Sequence, residues 1–158
     1  MIKKFIDYIM RTVEIICMLL LATAVAFVTM QIVFRYFLSS PLGWTEQSSR
    51  FCFIWIVMLG IPIMFHRKCE ISFDYLLEKL NGRAHDAIMF LFEILGIFFC
   101  AVYFVFSIQL CIRTGGRMTS GVAIPLNCLY AAQPASAFLT ILVFIGRISE
   151  KLKKEVCK

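Results

Sequence analysis

Charged residues are scarce in this chain and are missing from long stretches of it. Only 16% of its 158 residues are Asp, Glu, Lys or Arg, whereas 61% are hydrophobic. Positions 15–34 carry no charge at all, and further apolar stretches follow at 51–65, 87–112 and 118–146. Twenty helical residues span about 30 Å, the thickness of the hydrocarbon core of a bilayer. The sequence therefore predicts a polytopic membrane protein and leaves too few residues for a soluble domain.

Metal ligands and catalytic motifs are scarce as well. The chain has two histidines, His66 and His85, and its seven cysteines show no two-residue spacing. The sequence also lacks a glycine-rich phosphate loop, a Ser–His–acid arrangement and the ligand spacing of a zinc site. We therefore expect no enzyme activity, no cofactor and no metal. Haem ligation by the two histidines stays an alternative, which a visible absorption spectrum would decide.

The positive charges are distributed unevenly between the connectors. If four helices cross the membrane, twelve of the sixteen Lys and Arg residues lie at the two termini and in the second connector. The other four lie in the first and third connectors: Arg35, Arg50, Arg113 and Arg117. Because cytoplasmic loops carry the excess of Lys and Arg, this bias predicts that both termini are cytoplasmic. The net charge of +6 then indicates contact with anionic phospholipid headgroups, and nucleic-acid binding is not expected.

The apolar pattern predicts a single-domain, all-α integral membrane protein. Each stretch must be helical because a backbone in lipid has to satisfy its own hydrogen bonds. The predicted spans lie at about 12–37, 50–66, 85–112 and 126–148. Two interfacial amphipathic segments are predicted beside them, at about 42–50 and 70–81. In the second, the apolar stripe falls on one helical face, opposite Asp74 and Glu78; its members are Phe73, Leu76, Leu77 and Leu80.

The second span has a polar entry. Its charge-free part, 51–65, is short for crossing alone, so we expect the helix to begin near Trp44 and to enter the membrane near Arg50. Thr45 is the predicted N-cap, and Glu46 and Arg50 share a face one turn apart. Near the other end, Pro62 removes one backbone hydrogen-bond donor.

Glu93 is a carboxylate inside the third predicted span, two turns from the end predicted to be cytoplasmic. A carboxylate there costs a few kcal/mol unless it is neutral or paired. Two interpretations stay open: a functional group, or a protonated or interfacial Glu near Arg83. The first would suit a self-sufficient, proton-coupled four-helix exporter, although the long amphipathic connector argues against that class.

A Trp–acid–Arg spacing opens residues 44–60, WTEQSSRFCFIWIVMLG. It is accompanied by Arg35-Tyr36, Pro41-Leu42, His66-Arg67, Ile71 and Asp74, and later by Ile124-Pro125, Tyr130 and Pro134. Together these residues resemble the small membrane subunit, DctQ-like, of tripartite ATP-independent periplasmic (TRAP) transporters. The residues that match the family's spacing are Trp44, Glu46, Arg50, Trp55, Leu59 and Gly60. The sequence departs from the pattern at Gln47, where a second acid is common, and at Glu70, where a His is often found.

The resemblance implies a function within a larger complex in the bacterial inner membrane. A large membrane subunit would hold the substrate and sodium sites, and a periplasmic solute-binding protein would deliver an organic acid such as a C4-dicarboxylate, a keto acid or a sialic acid. This chain would then be part of the fixed scaffold. The residues expected to contact the partner or lipid are Arg35, Trp44, Glu46, Arg50 and Trp55, with Glu93 as a further candidate.

Overall fold

The computed structural model describes residues 2–37, 43–67, 82–118 and 125–156. The elements in these ranges are five helices: α1 (Ile2–Phe37), α2 (Gly43–His66), α3 (Gly82–Arg113), α4 (Leu126–Tyr130) and α5 (Ala132–Val156). An isolated antiparallel bridge joins Met118 to Pro125, before the start of α4. The predicted all-α fold is confirmed.

Four segments of the described chain are long and apolar enough to cross a membrane: Lys4–Tyr36, Gly43–His66, Phe90–Arg113 and Leu126–Ser149. The prediction of four membrane-spanning helices is therefore confirmed. Helix α1 begins at Ile2, well before residue 12, and the amphipathic segment predicted at 42–50 is largely continuous with the second span in α2. The segment predicted at 70–81 lies outside the described residues.

The predicted capping role of Thr45 is wrong. Helix α2 is already helical at Gly43, so Thr45 lies inside its first turn rather than at the N-cap position. Its side chain is fully buried. The sequence pattern placed the cap at least three residues too late, because Thr is favoured both at helix starts and at close helix contacts.

The long helices lie side by side in an open row, in the order α1, α2, α5, α3. Ring and polar contacts join the start of α1 to the end of α2 and the end of α1 to the start of α2, so these two helices are antiparallel. Helices α3 and α5 are also antiparallel, whereas α2 and α5 run in the same direction. We call the side of the row that holds the start of α1 and the end of α5 the termini side, and the opposite side the far side.

A small cluster of buried apolar residues lies on the termini side of the row. Ile6 and Met10 of α1 pack with Val143 of α5, and Ile63 and Phe65 of α2 border this cluster. Most other large apolar side chains point outward; Leu19, Phe53 and Phe98, for example, are each more than 60% exposed. A chain surrounded by lipid tails gains little by hiding apolar groups from them. The geometry of the row must therefore be determined by other contacts.

Two glycines permit close approaches between helices. A Cβ added at Gly146 of α5 would lie 2.6 Å from Cδ1 of Ile6 in α1, and one added at Gly96 of α3 would lie 3.0 Å from the Phe144 ring in α5. A Cβ at Gly60 would meet nothing within 4 Å. Small residues at helix crossings let backbones pack closely in membranes. Gly146 and Gly96 therefore mark where α5 meets the two outer helices of the row.

Pro62 leaves the carbonyl of Met58, four residues earlier, without its intrahelical donor. The hydroxyl of Ser136 in α5 donates a hydrogen bond of 2.6 Å to that oxygen. In lipid no water is present to donate a hydrogen bond to this carbonyl, so a hydroxyl from a neighbouring helix replaces the missing backbone N–H. One proline in α2 thus creates an acceptor that fixes α5 beside it.

Arg147 makes a second contact of this kind. Its Nη2 donates to the carbonyl of Phe65, in the last turn of α2. The last carbonyls of a helix lack intrahelical donors and form the negative end of its dipole, where a guanidinium is favourable. Ser136 and Arg147 are eleven residues apart, three turns of α5, so both lie on the face directed at α2.

We predict that Ser136→Ala lowers the free energy of unfolding by about 0.5–1.5 kcal/mol, because the Met58 carbonyl loses its donor. In a Pro62→Ala background the same substitution should cost less, since residue 62 then supplies an N–H to Met58. The measurement is a double-mutant cycle of reversible unfolding in detergent micelles.

The matched control is Ser149→Ala, because the Ser149 hydroxyl bonds the carbonyl of Gly146 within its own helix. Its substitution should leave the contact between α2 and α5 unchanged. Equal losses for Ser136→Ala with and without Pro62 would contradict the proposed role of the hydroxyl.

Candidate functional site

The predicted far-side residues lie around the first turns of α2. Trp44 packs edge-on against Phe27 of α1, with ring centroids 6.1 Å apart, and remains 43% exposed. Glu46 and Arg50 form an ion pair of 3.3 Å, with more than half of each side chain exposed. Arg35, near the end of α1, is also exposed. The far side therefore has exposed charged side chains, and Trp44 beside them packs against the neighbouring helix α1.

Trp55 is three turns further along α2 and partly buried. Its ring lies 6.1 Å from that of Phe51, centroid to centroid. Its Nε1 is enclosed and has no hydrogen-bond partner within the described ranges. An enclosed N–H without an acceptor costs about 1–3 kcal/mol. The described helices therefore leave the indole N–H of this predicted site residue without an acceptor.

On the termini side, two acids of α1 contact two consecutive basic residues at the end of α2. Oδ1 of Asp7 lies 2.9 Å from Nε2 of His66, and the Glu14 carboxylate accepts two hydrogen bonds of 2.8 Å from the Arg67 guanidinium. The second contact is bidentate, the stronger geometry for an Arg–carboxylate pair. Sequence reasoning missed both contacts. The available signal was the seven-residue spacing of Asp7 and Glu14, which places both on one face of α1.

Glu93 lies on the termini side, far from the Trp–Glu–Arg segment. Its side chain is only 4% exposed. Helices α3 and α5 are antiparallel, and Gly96 of α3 lies against Phe144 of α5. Glu93 is three residues before Gly96, and Arg147 is three residues after Phe144. Glu93 and Arg147 therefore occupy opposite positions on the two helices. This register puts an acid and a base of adjacent helices at the same level of the row. The alternative partner, Arg83, lies in the part of α3 whose side chains are not described.

Glu93 and Arg147 both line a cavity of about 570 Å³ on this side of the row. Helix α3 forms one wall, the end of α2 forms the other, and α5 lies between them. The remaining lining is almost entirely apolar and is dominated by five phenylalanines: Phe65, Phe92, Phe98, Phe99 and Phe144. We call this feature the Phe groove. It offers an apolar surface with charge confined to one end.

The described residues offer little reactive chemistry. None of them form a group of three or more His, Cys, Asp or Glu side chains arranged for a metal ion. The charged groups that the structure brings together are committed to one another or to backbone carbonyls, as in the pairs at Asp7, Glu14 and Glu46. The arrangement is suited to holding helices together and to binding apolar surfaces.

We predict that reversing either charge of the Glu14–Arg67 pair loosens α1 from α2. Glu14→Arg and Arg67→Glu should each lower the free energy of unfolding by about 1 kcal/mol, and the double reversal should regain much of that loss because the opposite charges meet again. The modest size follows from the exposure of Arg67, whose side chain is 61% accessible. The measurement is reversible unfolding in micelles at low and high salt.

The far-side pair is the control for this prediction. Glu46 and Arg50 belong to one helix, so reversing them should leave the contact between α1 and α2 unchanged. Failure of the double reversal at positions 14 and 67 to recover stability would contradict a direct charge interaction.

Comparison with known proteins gives a consistent result. Residues 24–154 match the family described as the DctQ component of tripartite ATP-independent periplasmic transporters. Two proteins of Haemophilus influenzae, both named as small permease proteins of TRAP transporters, are similar to this chain. One is 28% identical over 100 residues, which cover 63% of this chain and 62% of the relative. The other is 23% identical over 135 residues, or 85% of this chain and 81% of the relative.

A third relative carries a substrate in its name. It is the sialic acid TRAP transporter small permease protein SiaQ of Vibrio cholerae, 30% identical over 94 residues. The match covers 60% of this chain and 53% of SiaQ. For two of the three relatives, therefore, less than two thirds of their length is matched.

Proposed function

Since this chain belongs to the DctQ component family of tripartite ATP-independent periplasmic transporters, we propose that it is a small, non-catalytic scaffold subunit. It stabilises a larger membrane subunit that moves the solute. The complex is a sodium-coupled secondary importer that receives its solute from a periplasmic binding protein. The solute is an organic acid of the C4-dicarboxylate, keto acid or sialic acid class, and the name of the relative SiaQ supports the last of these.

The observation that carries the scaffold role is the use of polar side chains between helices. Ser136 and Arg147 bind backbone carbonyls of α2, and Glu14 binds Arg67. A binding site for an anionic solute needs several polar groups that converge on a cavity. The Phe groove has its charges at one end and is otherwise apolar. The positions of the polar side chains therefore support contacts between helices rather than a path for a solute.

The alternative is a self-sufficient proton-coupled exporter that uses Glu93. The burial of Glu93 beside a cavity is the observation in its favour. The register of α3 against α5 argues against it, because it gives Glu93 an opposite charge on the adjacent helix, a structural role that needs no transport.

The location of this subunit follows from the same proposal. It lies in the bacterial inner membrane with both termini in the cytoplasm, because the termini and the second connector hold twelve of the sixteen Lys and Arg residues. The termini side then faces the cytoplasm, and the Trp44 end of α2 faces the periplasm. Phospholipid headgroups contact the basic residues at the cytoplasmic face.

We expect this chain to transport nothing by itself. In proteoliposomes, the chain together with its large subunit and binding protein should accumulate the solute under a sodium gradient. Liposomes that contain only this chain should stay at the level of protein-free vesicles. Glu93→Gln should leave the fully assembled system able to accumulate solute. Solute movement by the chain alone that stops on Glu93→Gln would establish the exporter instead.

The far-side residues are tested by the combined substitution Glu46→Ala and Arg50→Ala. The pair lies within one helix and is exposed, so its loss should change the stability of the isolated chain by only about 0.3–0.5 kcal/mol. If these residues contact the large subunit, co-purification and uptake should nevertheless fall several-fold. Arg113→Ala, at an exposed position of the far side on α3, is the control. Unchanged assembly and uptake in the double variant would contradict this interface.

A further inference from the structure

We propose that the Phe groove is the surface on which an apolar helix of the large membrane subunit docks. This inference rests on the proposed function and adds the face of the molecule that makes the contact. The groove is concave, has a volume of about 570 Å³ and is bounded by helices of the row on two sides. It lies where α3 and the end of α2 flank α5, a position that a closed four-helix bundle would fill with its own side chains.

The open row exposes more surface than a compact chain of this mass. The accessible surface is 11414 Å². A compact monomer of 18.2 kDa exposes roughly 8,100 Å². The difference of roughly 3,300 Å² leaves room for a partner interface of obligate size beside the faces that lipid covers. The open row therefore has enough uncovered surface for both lipid and a partner subunit.

The charges at one end of the groove favour a protein occupant over lipid tails. Glu93 is 4% exposed and lines the groove together with Arg147. Ionisable side chains within membrane spans almost always face a protein interior or a water-filled cavity, since acyl chains solvate them poorly. A groove wall that contains an acid and a base is therefore expected to become an interior surface in the assembled complex.

The outer face of α1 provides the contrast. Its hydroxyls at Thr12, Thr23 and Thr29 donate to the backbone carbonyls four residues earlier, at 3.0, 2.8 and 2.8 Å. A surface whose polar groups bond to its own backbone is compatible with lipid. The two exposed faces of the row thus differ in kind: the α1 face suits acyl chains, and the Phe groove suits a partner helix.

Leucines at two positions of α3 provide a matched test. Leu95 lines the Phe groove and is 58% exposed, whereas Leu91, one turn earlier, is 64% exposed and does not line it. With a tag on this chain and the large subunit co-expressed, Leu95→Trp should reduce the co-purified large subunit roughly tenfold because the indole occupies the groove. Leu91→Trp should leave the amount within roughly twofold of wild type.

A second measurement does not depend on blocking the groove. The photo-reactive analogue p-benzoylphenylalanine replaces Phe99, which lines the groove, or Phe106, which is similarly exposed on α3 but does not line it. Irradiation of the assembled complex should give an adduct with the large subunit at position 99 in clear excess over position 106. This result is expected even if Leu95→Trp lowers the yield of folded chain.

The outcomes separate the two proposals. If the wild-type chain does not co-purify with the large subunit, the proposed function fails, and the groove assignment fails with it. If wild type co-purifies and Leu95→Trp does so equally well, with equal adducts at positions 99 and 106, the groove assignment alone is overturned. Adducts at position 99 with phospholipid instead of protein would also overturn it and identify the groove as a lipid site.

Discussion

A backbone carbonyl in a bilayer that loses its intrahelical donor has no water to replace it, and two such carbonyls of helix α2 accept hydrogen bonds from a neighbouring helix. The carbonyl of Met58 is orphaned by Pro62, and that of Phe65 lies in the last turn of the helix. Both acceptors are met by α5, through Ser136 and Arg147. These contacts fix the distance between the two helices as well as their relative sliding, because each donor must reach one particular oxygen. The position of α5 beside α2 depends on them.

The remaining helices are placed relative to this pair. Helix α1 is held to α2 by Asp7 and Glu14 and approaches α5 where Gly146 leaves room for Ile6. Helix α3 approaches α5 from the other side at Gly96. Apolar packing contributes less than it would in water, because lipid tails compete for the same surfaces. A few directional polar contacts and two small residues therefore account for a row of helices in which few of the described apolar side chains are buried.

The sequence predicted features that depend on local pattern and missed those that depend on how the helices meet. Charge-free stretches were sufficient for four spans, and helical periodicity was sufficient for the Glu46–Arg50 pair. The missing donor at Pro62 was foreseen, but its replacement by Ser136 was not, because a residue 78 positions away is brought near only by tertiary packing. Glu93 stood out as a charge in an apolar span, yet its relation to Arg147 needed the register of α3 against α5. Thr45 was misplaced because the same residue type serves caps and close contacts.

The distribution of these contacts also bears on what such a subunit can do. An element that switches between conformations needs interfaces with two arrangements of similar energy. Here the Ser136 hydroxyl donates to the carbonyl that Pro62 leaves without a donor. The two hydrogen bonds from Arg67 to Glu14 form in one relative position of α1 and α2 only. Sliding α5 along α2 by one turn would leave the Met58 carbonyl without a donor in lipid, at a cost of several kcal/mol. The row therefore resists movement between its own helices, which is the property that the proposed scaffold role requires.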